Sequence, residues 1–157
     1  MQGQPIIIQT LNQLLKGELT AVDQYLLHGE IYADRGFKVL AEKALHESEH
    51  ERTHAQALMR RILFLQGSPD LSQREPFTLS QTIEDMLKAD LALEYKVAKD
   101  LKAAIALSEQ HQDYVTRDML LQQLDDTETD HAYYLEKQLR LIGAIGLQNY
   151  LQTQMGS

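Results

Sequence analysis

Proline is nearly absent from this chain, and its placement constrains the fold more than any other feature. Pro5, Pro69 and Pro76 are the only three in 157 residues, so long stretches on either side of the central pair contain nothing that breaks a helical hydrogen-bond ladder. Those stretches are rich in Leu, Ala, Glu, Gln and Lys, with apolar residues recurring three and four apart, and no segment alternates in the manner of a strand. The pattern predicts an all-α protein.

A first helix is expected over about Ile6 to Asp34, stopped at Gly36, a residue suited to the left-handed conformation past a helix end. A second runs from about Lys38 to Gln66 and is ended by Gly67-Ser68-Pro69. Thr78-Leu79-Ser80-Gln81 reads as a capping box for a third, from about Leu79 to Gln110. A fourth spans about Asp113 to Ile142 before Gly143, and a short fifth covers Leu147 to Met155. The first and second helices, and the third and fourth, are joined by a few residues and must form antiparallel hairpins. The central link of roughly a dozen residues can extend about 40 Å, the length of a helix of about 28 residues. The second and third helices can therefore be parallel, the one-crossover arrangement of ferritin-like four-helix bundles.

Residues 1–157 are read as a single domain, because the length suits one core. The chain has no cysteine, which excludes disulfides, thiolate-bound zinc and iron–sulfur clusters and is compatible with a reducing cytoplasm. A net charge of −8 disfavours nucleic acid as a partner. No signal-peptide pattern and no run of about 18 apolar residues is present, so a soluble, cytoplasmic protein without a membrane partner is expected.

The helical seams carry the chemistry. Written in alternating steps of three and four, they pass through Leu11, Leu15, Glu18, Val22 and Tyr25; through Ala44, Ser48, Glu51, Ala55 and Leu58; through Leu87, Asp90, Glu94, Val97 and Leu101; and through Leu121, Leu124, Glu128, His131 and Leu135. Each helix thus has a Glu where its own pattern calls for a core residue. Glu51 and Glu128 each begin a Glu-x-x-His motif, with His54 and His131 one turn along the same face. Glu18 precedes Glu51 by 33 residues and Glu94 precedes Glu128 by 34, so the chain reads as two similar halves. Measured from the hairpin turns, the four carboxylates stand within about a helical turn of one another in height. Four unpaired carboxylates at one buried level would be strongly unfavourable. The seams offer no Lys or Arg at that level, so two divalent cations, each completed by one imidazole, are the expected compensation. This is the di-iron carboxylate pattern of ferritin-like bundles.

Beyond the motifs, His46-Glu47-Ser48, Arg61-Ile62-Leu63-Phe64-Leu65, Ala89-Asp90-Leu91-Ala92-Leu93-Glu94, Asp113-Tyr114-Val115-Thr116-Arg117-Asp118 and Gly146-Leu147-Gln148-Asn149-Tyr150-Leu151-Gln152 give the chain a resemblance to bacterioferritin over nearly its whole length. The resemblance implies a hollow shell of 24 subunits that stores ferric mineral, with a ferroxidase di-iron centre in each subunit. By matching position it implies Glu18, Glu51, His54, Glu94, Glu128 and His131 as the iron ligands, with Glu51 and Glu128 as bridges. It also implies Tyr25 as a phenol near the centre able to supply an electron during turnover; a packed core aromatic is the other reading of that residue.

Two positions depart from the family pattern. The methionine that holds haem between paired subunits is replaced by Arg52, which cannot act as a thioether ligand. Met59, two turns on, reads as packing. Haem is therefore not expected in a homo-oligomer, which fits a haem-free subunit able to share a shell with a haem-binding one. The second departure is His50, where family members that bind iron on the cavity wall beside His46 carry an acidic residue. Here His46, Glu47 and His50 occupy that face, either as a metal site built on an i, i+4 histidine pair or as solvated surface.

The sequence therefore leads to iron storage and detoxification by a ferroxidase using Fe(II) with dioxygen or peroxide. The alternatives are a mainly structural haem-free subunit of a mixed bacterioferritin shell and a small di-iron oxidase outside the ferritin cages.

Overall fold

The structure is a computed structural model in which residues 1–156 are described. Six α-helices follow in chain order: α1 (Pro5–Asp34), α2 (Lys38–Phe64), α3 (Ile83–Gln110), α4 (Tyr114–Asp125), α5 (Tyr133–Ile145) and α6 (Leu147–Thr153). A π-helical segment, Asp126–Ala132, joins α4 to α5 in one continuous rod. Among the described residues no strand occurs and no helix is long and apolar enough to cross a membrane.

Two apolar clusters fix the helix directions. One gathers Ile7 and Leu11 from the start of α1, Leu58 and Ile62 from the end of α2, Leu101 and Ala104 from the end of α3, and Leu120 from α4. The other gathers Tyr32 from the end of α1, Leu40 and Ala41 from the start of α2, Met86 and Leu87 from the start of α3, Leu135 and Ile142 from α5, and Tyr150 from α6. The ends that meet show that α2 and α3 run parallel, with α1 and the α4–α5 rod opposed to both. This is a four-helix bundle with one long crossover and a short closing helix. Arg61 adds a polar tie between α2 and α4, donating from Nε to Thr116 Oγ1 at 2.8 Å and from Nη2 to Asp113 Oδ1 at 3.1 Å.

The crossover lies along α1 and is pinned at successive heights. The Asp70 amide donates to Asn12 Oδ1 at 2.9 Å, the Glu75 amide to Thr20 Oγ1 at 2.8 Å, Arg74 Nε to Asp23 Oδ2 at 2.9 Å, and Arg35 Nη1 to the Gln81 carbonyl at 2.9 Å. The link is longer than the sequence pattern indicates. Residues 78–81 do not cap α3; Thr82 does, its hydroxyl accepting from the Asp85 amide at 3.1 Å.

Three helix ends share a reverse hydrogen-bond pattern in which the chain turns back through one left-handed residue. At α1 the Phe37 amide reaches the Tyr32 carbonyl at 2.9 Å around Gly36, whose φ is 89°. At α2 and α3 the same position is held by Gln66 (φ 65°) and Gln112 (φ 59°), so α2 ends at Phe64 rather than Gln66. The rod does not stop at Gly143 but continues to Ile145, and the break falls at Gly146, with φ 85° and ψ 152°. That combination is essentially confined to glycine. The turn lets α6 fold over the bundle end, where the Val39 amide donates to the Gln154 carbonyl at 3.0 Å and Tyr150 Oη to Gln138 Oε1 at 2.8 Å.

Open space surrounds the Cβ position at Gly146, so replacing it tests backbone conformation alone. Gly146→Ala is expected to destabilise the protein by about 1–3 kcal/mol in denaturant unfolding, with faster amide exchange at Val39 as α6 loosens.

Candidate metal centre

Between the two apolar clusters lies a polar layer. Glu18 of α1, Glu51 and His54 of α2, Glu94 of α3 and His131 of the π segment are each at most 5% exposed. Their atoms fall into two groups able to hold an ion, Glu18 with Glu51 and His54, and Glu51 with Glu94 and His131. Glu51 belongs to both. His131 Nδ1 lies 2.6 Å from Glu51 Oε1 and 3.4 Å from Glu94 Oε1, and His54 Nδ1 lies 3.7 Å from both Glu18 Oε2 and Glu51 Oε2. Even at these ion-pair distances, Glu18 Oε2, both oxygens of Glu51, Glu94 Oε2 and the Nδ1 atoms of both histidines are buried without a hydrogen-bond partner. Buried polar atoms are normally satisfied. Only oxygen and nitrogen donors are present in this buried layer, and the set fits hard or borderline divalent cations.

Glu128 breaks the expected pattern. The sequence places it in this layer, but its side chain is 48% exposed and pairs with Lys102 Nζ at 3.2 Å. The π segment is the cause. One extra residue per turn displaces the inward seam by one position, so that Leu120, Gln123 and Thr127 are buried on the near side of the bulge in place of Leu121, Leu124 and Glu128, while His131 and Leu135 fall as expected beyond it. The bulge also turns Asp126 toward α2, where its Oδ2 lies 3.0 Å from His54 Nε2 and 3.6 Å from His50 Nε2. No α-helical seam passes through Asp126, so sequence periodicity gave no signal for it.

The outer face differs from expectation as well. Glu47 is not a wall residue: it is 2% exposed, with an oxygen 2.8 Å from Lys43 Nζ and another 2.8 Å from His131 Nε2. His50 is half-buried, its Nδ1 2.8 Å from His131 Nε2, and it contributes to the groups Glu47–His50–Asp130–His131 and His50–His54–Asp126. His46 is exposed and stands apart, its ring centroid 6.5 Å from that of His50. Tyr25 is buried and donates from Oη to Glu94 Oε1 at 2.6 Å. Behind it, Asp90 Oδ1 accepts from Gln24 Nε2 at 2.8 Å and lies 2.9 Å from His28 Nδ1.

Burial and mutual repulsion divide the protons of the layer. Burial, then the charge of Glu51, raise the carboxyl of Glu18 well above the ordinary range. The same two causes bring Glu94 up to about 7. Burial opposes the ionised form of Glu51 too, but contacts with Glu18, His131 and His54 outweigh it and hold its pKa low. Burial would lower both histidines. Glu18 and Glu51 instead push His54 up to about 11, and Glu47, Glu51 and Glu94 raise His131. Burial likewise opposes the ionised form of Glu47, yet His131 and Lys43 lower it to about 2. Without metal the layer is held together by protons, with cationic imidazoles facing ionised Glu51 and Glu47.

Linkage gives these shifts a sign. The contribution of Glu94 is complete below its ordinary 4.5 and is lost as pH rises through about 7; that of His54 is complete below 6.5 and lost as pH rises toward about 11. Glu47 acts in the opposite sense, its contribution being lost only as pH falls from 4.5 through about 2. The denaturation midpoint of chelator-treated protein should therefore decline steadily from about pH 5 to about pH 9. A midpoint that rises over that interval would contradict the proton distribution described.

A model of the ferritin-like domain matches residues 8–145. The chain is 52% identical over 155 residues to the bacterial ferritin of Synechocystis sp., covering 99% of both chains. It is 52% identical over 155 residues to that of Pseudomonas aeruginosa, covering 99% of this chain and 100% of the relative. It is 40% identical over 150 residues to the bacterioferritin of Mycobacterium leprae, covering 96% of this chain and 94% of the relative.

Proposed function

The chain belongs to the bacterial ferritins of the ferritin-like family, and from that membership we propose that it is an iron-storage ferroxidase. Fe(II) ions enter the polar layer in pairs as substrate, each gives one electron to dioxygen or peroxide, and the Fe(III) formed passes to a mineral inside a 24-subunit shell. The observation that carries this reading is the set of buried, unpartnered oxygen and nitrogen atoms on Glu18, Glu51, His54, Glu94 and His131.

The residues divide the work. Glu18, Glu51 and His54 receive one ion, Glu51, Glu94 and His131 the other, and Glu51 spans the pair. Binding displaces the protons that Glu18 and Glu94 hold, and the carboxylates so released are hard donors that favour the ferric state. Glu128 completes the set by exchanging Lys102 for metal. The phenol of Tyr25, donating to Glu94 Oε1, keeps that carboxylate oriented with Oε2 free and stands close enough to supply an electron. The apolar clusters above and below exclude bulk water.

Because Glu51 serves both positions, Glu51→Ala should slow aerobic Fe(II) oxidation by roughly tenfold or more, followed by stopped-flow absorbance of the ferric product. Oxidation at wild-type speed would refute the ferroxidase reading. Native mass spectrometry of the shell should give a single subunit mass near 24 copies if the protein assembles alone.

Arg52 favours a second reading of the shell. Its side chain is 57% exposed and pairs with Glu49 at 3.7 Å, offering a guanidinium where haem would require a thioether. A homo-oligomer thus lacks the haem ligand, and the chain is suited to act as the haem-free subunit beside a haem-binding partner. Arg52→Met should gain a Soret band on reconstitution with haemin, while the wild type shows none.

A further inference from the structure

One buried polar cluster is left unused by the proposed ferroxidase reaction. Asp90, Gln24 and His28 are each no more than 3% exposed. Asp90 Oδ1 accepts a hydrogen bond from Gln24 Nε2 at 2.8 Å and lies at an ion-pair distance of 2.9 Å from His28 Nδ1. Gln24 and His28 are one turn apart on α1 and flank Tyr25, while Asp90 is one turn before Glu94 on α3. Two rungs therefore join the same pair of helices: Tyr25 to Glu94, and Gln24 with His28 to Asp90.

The geometry explains how one rung governs the other. Successive side chains on one helix face are about 5–6 Å apart, so a grip on both sides of Tyr25 fixes the height and rotation of α1 against α3. The Tyr25 hydroxyl then has one direction to donate, toward Glu94 Oε1, and Glu94 Oε2 stays buried and without a partner. Among the described residues the phenol makes no other hydrogen bond, and Tyr25 borders a cavity of about 10 Å³ that Lys43, Glu47, Asp90, Tyr134 and His131 also line. That space is close to the least that admits one water.

We propose that Asp90 is a positioning residue for the metal centre, gripping Gln24 and His28 so that the Tyr25 phenol orients the Glu94 carboxylate for the ion it receives. This rests on the ferroxidase reading. Asp90 touches neither substrate nor ligand atoms; it acts through Tyr25.

A double-mutant cycle tests that route. Asp90→Ala and Tyr25→Phe should each lower the saturated rate of Fe(II) oxidation by about tenfold with the half-saturating Fe(II) concentration little changed, and the double variant should be no slower than either single one. Coupling of this kind is what residues acting along one path show, whereas a general loosening of the bundle would add to the loss of the phenol. Asp90→Asn, whose amide oxygen still accepts from Gln24 and stays beside His28, should recover most of the rate. Co(II) bound in place of iron reports the geometry directly: Asp90→Ala should alter its visible absorption bands while two ions per chain still bind. Should Asp90→Ala fail to assemble, Gln24→Met removes one grip at nearly constant volume and enters the same cycle. Additive losses, an unchanged Co(II) spectrum or an Asp90→Ala rate equal to wild type would each overturn the positioning role. The ferroxidase reading itself would fall only if Glu51→Ala also kept its rate, so the two failures are distinguishable.

Discussion

The structure depends on one electrostatic constraint, the burial of carboxylates between two apolar clusters. Glu18, Glu51 and Glu94 sit where each helix would otherwise place a leucine, and burial penalises their charge while proximity makes them repel. Two imidazoles, from His54 and His131, are brought into the same layer and raised in basicity by it. The proton distribution is a substitute for metal. It leaves lone pairs buried and unpartnered, which in an ordinary core would be a defect and here is the observation on which the proposed cation sites rest.

The rest of the fold supplies the rigidity such a layer requires. Clusters at both ends of the bundle clamp the helices, and the crossover fastens α1 along much of its length through Asn12, Thr20, Asp23 and Arg35. The Asp90 grip acts nearest to the layer. It is itself a buried charge that only a full set of partners makes tolerable, since removing one partner of such a pair strands the other.

Much of this was legible in the sequence. The four long rods and the short closing helix, the hairpin connections and the parallel course of α2 and α3 followed from breaker positions and link lengths, because those are local and geometric; the division of the fourth rod into α4, π segment and α5 did not. Core placement of Glu18, Glu51 and Glu94 followed from the seam, as did Asp90, which interrupts the same apolar pattern on α3. The largest failure lies in the rod between α3 and α6. Periodicity at 3.6 residues per turn assumes an unbroken α-helix, and the π segment violates it, carrying Glu128 outward, Thr127 inward and Asp126 toward His54. Glu47 was misplaced for a related reason: it lies off the seam of α2, yet the inward pull of cationic His131 and the cover of Lys43 bury it. The left-handed turns at Gln66 and Gln112 also escaped notice, since glutamine is not the residue that announces them.

The two halves of the chain, so alike in motif spacing, differ in how firmly they hold their ligands. In the first half, Glu18, Glu51 and His54 stand on uninterrupted helices, and His54 keeps a loose 3.7 Å from both carboxylates, leaving room between them. In the second half His131 is drawn tightly among Glu47, Glu51 and Glu94, and the motif that carries it is the stretch of helix that has slipped register. π turns are rare, occur mostly as single-turn bulges inside α-helices and are frequent at functional sites. The π segment lies between the residues that the rod gives to the two apolar clusters, Leu120 on one side and Leu135 with Ile142 on the other. The proposed pair of ion positions therefore draws on two kinds of backbone, regular helix for Glu18, Glu51, His54 and Glu94 and the π segment for His131.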